Sequence, residues 1–503
     1  MKTPGVFHIL FPLALILALL AGCTAAPAQP QPVVTEPVVP VTQPPVAATE
    51  ALAATSEITP APAVAETAAV VVTEAPGPQR ARLPLPGIEV AGIPSAQAVQ
   101  EVAAAGAAWL RINALEWSKI EPQEGQREWT AAAPLEAALR AAAENNLPVI
   151  LVVRSTPAWA QKVAGAYCGP IKPEKLGAYA VFMQDVVMRY SQPPYNVKYY
   201  ELGNEPDIDP ALIGGDSPFG CQGNGADPMY GGGEYAAQLQ QAYPAIKAAN
   251  PDAQVLIGGL LLDCDPVNPP AGKYCVPARY LEGILAGGGG DFFDGVSYHA
   301  YDYYAGPYQY SNGNWHSSWN TNGPVVVPKT LFLRSLLKAY GYPDKLLLNT
   351  EAGLLCGRSG SEPECLAPEY ELSKAYYVAE LNFLSRLEGL DASIWYSLYG
   401  WRGTAMLTQD GKPLPVLKAF QFSAQQLEGA EPVGKVTGLP QVRGVEVQKE
   451  GKRIWLIWSA DGQTYDVVLP AKPAAIYDVF GAAQPVNQQI TLSSAPQYIE
   501  WAP

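Results

Sequence analysis

Val197-Lys198-Tyr199-Tyr200-Glu201-Leu202-Gly203-Asn204-Glu205-Pro206 is a short apolar run that ends on a carboxylate. Lys345-Leu346-Leu347-Leu348-Asn349-Thr350-Glu351-Ala352-Gly353 repeats the pattern further along the chain. Both read as buried parallel strands that give way to loops, with Glu205 and Glu351 at the exits.

Working outward, the same unit recurs. The spacing predicts a first strand near Gly87–Ala91 with a helix through Ala96–Ala104, and a second strand Trp109–Asn113 with a helix around Ala131–Glu144. A third strand, Val149–Arg154, precedes a helix over Lys175–Tyr190; the fourth, Lys198–Gly203, precedes Glu234–Ala249. The fifth, Gln254–Gly259, is followed by Ala278–Leu285, and the sixth, Gly295–His299, by Thr330–Tyr340. The seventh, Leu346–Thr350, is followed by Glu371–Leu387, and the eighth, Ala392–Ser397, by Val416–Leu427. Eight β-then-α units predict an α/β fold, a closed (β/α)8 barrel over residues 82–430. An open doubly wound sheet usually carries a Gly-rich phosphate fingerprint after its first strand, and none occurs here. From 431 to 503 the helical periodicity stops. Val445–Val447, Ile454–Trp458, Tyr465–Leu469 and Tyr498–Trp501 predict a small sandwich-like β-domain, with Trp455 and Trp458 read as core rings ahead of sugar contacts.

The N-terminal part reads differently. Lys2 is followed by an apolar stretch from Val6 to Leu20, short for a membrane span, so residues 1–22 are expected to be a signal peptide. Leu20-Ala21-Gly22-Cys23 resembles the bacterial lipobox, and the resemblance implies cleavage before Cys23 and a lipid on its sulfur, hence anchoring to a membrane outside the cytoplasm. From Thr24 to about Gln79 the chain is rich in Pro, Ala, Val, Thr and Glu with no Lys, Arg or aromatic residue, so 23–81 is expected to be a disordered tether that holds the barrel off the surface. Seven cysteines are present; setting Cys23 aside leaves six, Cys168, Cys221, Cys264, Cys275, Cys356 and Cys365, all in segments assigned to loops after strands. Close spacing favours Cys264–Cys275 and Cys356–Cys365, with Cys168–Cys221 by elimination. With no Cys-x-x-Cys and only three histidines, no metal site is expected, and no cofactor. A net charge of −15 argues against nucleic acid or an anionic surface as partner and fits a neutral substrate.

Two carboxylates at the loop-bearing edge of a parallel barrel lie where such barrels do their chemistry. They match what glycoside hydrolysis requires: one protonates the leaving oxygen while the other attacks the sugar or activates water. Asn204-Glu205-Pro206 after the fourth strand resembles the acid/base motif of clan A glycoside hydrolases, and Glu351 after the seventh resembles that clan's nucleophile. The resemblance covers about Leu83 to Gly429, is closest to families 39 and 5, with some wording of family 51, and implies hydrolysis with retention of configuration. For that route the carboxyls need to stand about 5–5.5 Å apart, and their repulsion then requires the acid's pKa to rise. Once Glu351 is esterified its charge is gone, the pKa of Glu205 can fall, and the same residue serves as base.

Other positions carry over singly. Arg111 in Trp109-Leu110-Arg111 resembles the clan arginine that steadies the nucleophile; a surface ion pair is its plainer reading. Asn204 is placed to bond the sugar 2-hydroxyl. His299 and Tyr301 share a face by period-two alternation; the resemblance gives Tyr301 a bond to the nucleophile and His299 a contact to substrate or carboxylates, with a satisfied core histidine as alternative. Trp395 resembles the tryptophan that floors the sugar subsite, or is a core ring. Where several family 5 members have a histidine after the third strand, this chain has Val152-Val153-Arg154-Ser155-Thr156-Pro157-Ala158-Trp159, nearer to family 39, which makes Arg154 and Trp159 expected substrate contacts. Tyr303, Tyr304, Tyr308, Tyr310, Trp315 and Trp319 read as a subsite wall or as a self-packed loop. The implied partner is a carbohydrate; a transglycosylase, a non-catalytic surface glycan binder on the same barrel and a structural envelope lipoprotein remain as alternatives.

Overall fold

The computed structural model describes residues 85–502 except 209–216, 218, 270, 273–274, 308, 312–318 and 320–322. The expected signal peptide, Cys23 and tether lie outside the described residues.

The barrel strands are β1 (Gly87–Glu89), β2 (Trp109–Glu116), β3 (Val149–Arg154), β4 (Tyr199–Asn204), β5 (Gln254–Leu260), β6 (Gly295–Gly306), β8 (Leu346–Leu355) and β9 (Ala392–Tyr396), with β7 (Gln309–Ser311) a short antiparallel return on the end of β6. Each barrel strand pairs in parallel with its neighbours in the order β5-β4-β3-β2-β1-β9-β8-β6, and β5 pairs with β6, so the sheet closes. That closure excludes the doubly wound alternative. The main helices are α1 (Ala96–Ala104), α2 (Trp117–Ile120), α3 (Ala133–Glu144), α4 (Leu176–Tyr190), α5 (Gly232–Ala249), α6 (Tyr280–Ala286), α7 (Val326–Ala339), α8 (Pro368–Leu387) and α9 (Pro415–Leu427). Their starts follow local chemistry: Ser95 Oγ accepts from the Ala98 N–H at the head of α1, and Pro368 and Pro415 open α8 and α9, where a missing N–H leaves no bond unmade.

Strand alternation sorts the side chains. Trp109, Ile150, Leu256, Leu348 and Ile394 point inward and fill the closed end of the barrel, while the other face of each strand packs under the helices in one large core. Strand β6 runs to Gly306, seven residues beyond the expected His299, because it continues into the hairpin with β7.

The C-terminal region is a five-stranded antiparallel sheet, β10 (Glu431–Lys435), β11 (Val442–Lys449), β12 (Lys452–Ser459), β16 (Gln497–Trp501) and β14 (Ala475–Asp478), and a two-stranded pair, β13 (Tyr465–Val468) with β15 (Gln489–Leu492). Of these, β10, β14 and β15 were not expected; they are short and half polar. One face of the larger sheet, with Val445, Leu456, Trp458 and Tyr498, joins the barrel's core, where Tyr498 packs on Phe422 of α9 and Phe383 of α8. The opposite face, with Trp455, Ile457, Ile499 and Trp501, packs on Val467 and Ile490 of the small pair. Both Trp455 and Trp458 are buried core rings.

Three disulfides form, Cys168–Cys221, Cys264–Cys275 and Cys356–Cys365, with Cα–Cα separations of 5.5, 5.3 and 5.5 Å. All lie in loops that follow barrel strands. They point to an extracellular protein. Among the described residues, no helix is long and apolar enough to cross a membrane.

Candidate active site

The open end of the barrel is organised by one arginine. Arg111, fully buried on β2, is held by four acceptors that arrive from three other strands. Its Nη1 donates to Glu89 Oε2 and to Glu351 Oε1, both at 2.5 Å, and its Nη2 to Glu201 Oε1 at 2.5 Å and Asn204 Oδ1 at 2.7 Å. Two backbone irregularities bring the acceptors in. Gly203 adopts φ +104°, which a side chain would resist, and the turn sends both Glu201 and Asn204 inward from one strand. On β8, the four residues Asn349–Ala352 oppose the three residues Ser393–Trp395 of β9, a bulge that turns Glu351 toward the axis.

Glu205 follows Asn204 in a left-handed conformation, φ +49°, rare for a residue with a side chain. Its N–H donates to the Gly259 carbonyl at 2.8 Å. Across the barrel, His299 Nδ1 lies 2.8 Å from Glu205 Oε1 and 3.5 Å from Glu351 Oε2. The imidazole lies against Gly259, where a Cβ would come within 2.2 Å of Nε2. His299 Nε2 has no hydrogen-bond partner among the described residues, which favours the tautomer with the proton on Nδ1, donating to Glu205. Tyr301 donates its phenol to Glu351 Oε2 at 2.5 Å, so with Arg111 on Oε1 each carboxylate oxygen of Glu351 has a donor. One oxygen of Glu205, one of Glu351 and a His299 nitrogen all lie within 4.8 Å of one another. Those donor types also occur in metal sites, but the Arg111 guanidinium on Glu351 opposes a cation there.

The electrostatics separate the groups. Burial pushes Glu205 up to about 7 against the pull of Arg111 and Lys329. Burial lowers His299 to about 4, leaving it neutral at pH 7. Burial also raises the Tyr301 phenol, with the negative Glu351 adding to it, so it stays a donor. Burial pushes Glu89 above the usual carboxylate range although Arg111 opposes this.

A cavity of about 370 Å³ opens over the two glutamates. Asn113, Asn204, Tyr301, Tyr303, Tyr396 and Trp401 contribute to its walls, and Lys329 and Asp263 form a charged side. Trp401 is exposed at the mouth, edge-on to Tyr301 and Tyr396 at centroid distances of 6.2 and 6.3 Å. Three expected contacts, Trp395, Trp159 and Arg154, are not on this cavity. Trp395 faces the helix layer: alternation along β9 points Ile394 and Tyr396 inward and Trp395 outward, where its Nε1 donates to the Thr404 carbonyl at 2.9 Å and its ring packs on Tyr377. Trp159 packs edge-on against Trp117 and donates to the Glu121 carbonyl, beside the cavity rather than in it. Arg154 sits next to the site in a small separate recess with Asn204, its Nη2 3.6 Å from Glu116. In the aromatic loop, Tyr303 lines the cavity, Tyr304 packs on Tyr370, and Trp319 is buried with its N–H on the Leu262 carbonyl. Tyr308 and Trp315 lie outside the described residues, and the side chain of Tyr310 is likewise outside them.

Sequence reasoning passed over Glu89, Glu201, Tyr396, Trp401 and Lys329. Glu89 and Glu201 had a signal, a carboxylate inside an otherwise apolar strand, which burial forbids without a buried partner. Lys329 had none, since it comes from α7.

No protein-family model matches this sequence, and no curated protein matches it. Among solved structures, a family 39 glycoside hydrolase from the gut symbiont Bacteroides cellulosilyticus WH2 is similar, with a TM-score of 0.63 at 20% identity, over 84% of this chain and 81% of that one. A glycoside hydrolase family 30 subfamily 8 xylanase from Clostridium acetobutylicum gives 0.55 at 13% identity, over 84% and 96%. A glucosidase from Croceicoccus marinus gives 0.53 at 14% identity, over 83% and 96%. The barrel architecture of this chain is one that glycoside hydrolases share.

Proposed function

We propose that this protein is a retaining glycoside hydrolase acting on an oligo- or polysaccharide, with Glu351 as nucleophile and Glu205 as acid/base. The observation that carries the reading is the pairing of two glutamates with opposite surroundings, Glu205 just after β4 and Glu351 within β8. Glu351 accepts hydrogen bonds from Arg111 and Tyr301, whereas burial favours the protonated form of Glu205. Their nearest oxygens lie within 4.8 Å, in keeping with the separation of about 5–5.5 Å of the retaining route and short of the roughly 6.5–9.5 Å that leaves room for an attacking water.

In the first step Glu351 forms a bond to the anomeric carbon, the glycosidic C–O bond breaks, and the Glu205 proton passes to the departing oxygen. In the second, water attacks the anomeric carbon, gives its proton to Glu205, and the ester to Glu351 breaks. Asn204, its Oδ1 held by Arg111 Nη2 and Asn113 Nδ2, is left with its own amide N–H groups to meet a sugar hydroxyl. Trp401 and Tyr396 offer ring faces for the sugar. The same glutamates would serve transglycosylation if a sugar displaced water. The disulfides agree with an exported protein, tethered by residues 23–81 and a lipid on Cys23.

A panel of aryl glycosides and polysaccharides, assayed with the wild type and Glu351→Gln, tests the reading. Cleavage that disappears in the variant supports it. Carbohydrate binding without cleavage, equal in both proteins, would move the glycan-binder reading into its place.

A further inference from the structure

The proposed mechanism leaves Glu89 without a task, although it is almost fully buried and shares Arg111 Nη1 with the nucleophile. Three carboxyl groups, Glu89, Glu201 and Glu351, stand at 2.5 Å from the nitrogens of one guanidinium. All three ionised would leave two uncompensated negative charges in a buried space, which a protein relieves by holding a proton on one of them. The donors decide which. Glu201 receives Arg111 Nη2 and Nε and the Gly259 N–H. Glu351 receives Arg111 and Tyr301. Among the described residues, Glu89 receives a donor from Arg111 alone. The charged and titratable groups that act on it come from five other strands: Arg111 on β2, Arg154 on β3, Glu201 on β4, Glu351 on β8 and Tyr396 on β9.

We propose that Glu89 is the proton-holding member of this cluster and a positioning residue for the nucleophile: neutral, it leaves the charge of Arg111 to Glu351, and on losing its proton it draws Nη1 to itself and withdraws that support. The burial that raises Glu89 agrees with this. The ionisation of Glu89 then forms an alkaline limit on attack by Glu351, separate from the limit set by loss of the Glu205 proton. This rests on the glycosidase reading above.

The two limits separate by leaving group. A dinitrophenyl glycoside departs without a proton, so the Glu205 ionisation drops out of kcat/KM and the Glu89 ionisation remains. For the full-length wild type, kcat/KM on that substrate should fall by about tenfold or more from about pH 7 to pH 9.5, and Glu89→Gln, which copies the neutral form, should remove most of that fall. An unchanged pH profile in a folded Glu89→Gln protein overturns the proposal. A second readout needs neither turnover nor that variant. In Glu205→Gln, infrared titration should show a buried protonated carboxyl that persists above pH 7, and its absence overturns the proposal as well. If the wild type cleaves no glycoside, the glycosidase reading fails, and the proton on Glu89 stands or falls with the infrared band.

Discussion

Glu205 should make the protein less stable as pH rises, and Glu205→Gln should remove that dependence. In an unfolded chain this carboxyl titrates at its ordinary 4.5; in the folded protein burial raises it to about 7. A raised pKa means the folded state binds the proton more tightly. The stabilisation is therefore complete below about pH 4.5 and is lost as pH rises through about 7. At about 1.4 kcal/mol per tenfold change in proton affinity, the rise corresponds to about 3 kcal/mol of stability lost by the wild type between those limits. The side chain is nearly buried, so solvent screening takes little from that figure. Glutamine keeps the shape and has no charge to desolvate. Urea unfolding at about pH 5 and pH 8.5 should place the variant within about 1 kcal/mol of the position expected for a neutral swap at the lower pH, and about 2–3 kcal/mol further in its favour at the higher one. The measurement needs no substrate. A stability difference between variant and wild type that is the same at both pH values would refute the reasoning, because it would mean that Glu205 titrates alike in the folded and unfolded chains.

Tyr301→Phe removes a hydrogen bond to the carboxylate of Glu351, and kcat/KM should fall by about 10- to 100-fold with little change in melting temperature, as expected for a bond to a charged group of about 1.5–3 kcal/mol. Arg111→Met strands three buried carboxyls; unfolding should cost about 3–5 kcal/mol less than in the wild type, read by denaturant titration, and glycoside cleavage should be lost. Trp401→Ala should raise KM by about tenfold through loss of ring stacking, whereas Trp395→Phe, away from the cavity, should lower the melting temperature and leave KM within about threefold. Equal KM effects from the two tryptophans would contradict the placement of Trp395 on the outward face of β9 and of Trp401 on the cavity.

The β-then-α succession and the end of β4 before Glu205 were legible from residues 87 to 427 because both depend on local pattern: an apolar run, the turn chemistry that stops it, and the helix that follows. Whereas β8 runs on to Leu355, past the end expected at Thr350, because it keeps pairing with the extended β6, Glu205 directly follows β4, so its place at the loop-bearing edge needed no knowledge of long-range contacts. The face of each residue did need it. Ala392-Ser393-Ile394-Trp395-Tyr396 is apolar on both sides, as a strand covered on both faces must be, and nothing in its order says whether Trp395 or Tyr396 looks into the barrel. The bulge in β8 that turns Glu351 inward exists only in its pairing with its neighbours β6 and β9. The convergence of Glu89, Glu201 and Glu351 on Arg111 joins four strands spread over 262 residues, and the Lys329 wall comes from a helix. Sequence alone determined the barrel architecture and singled out two carboxylates on it, since each is written in a short window of chain. Only the closed tertiary structure decided which buried carboxyls meet on Arg111 and which rings line the cavity, because those are properties of distances across the barrel.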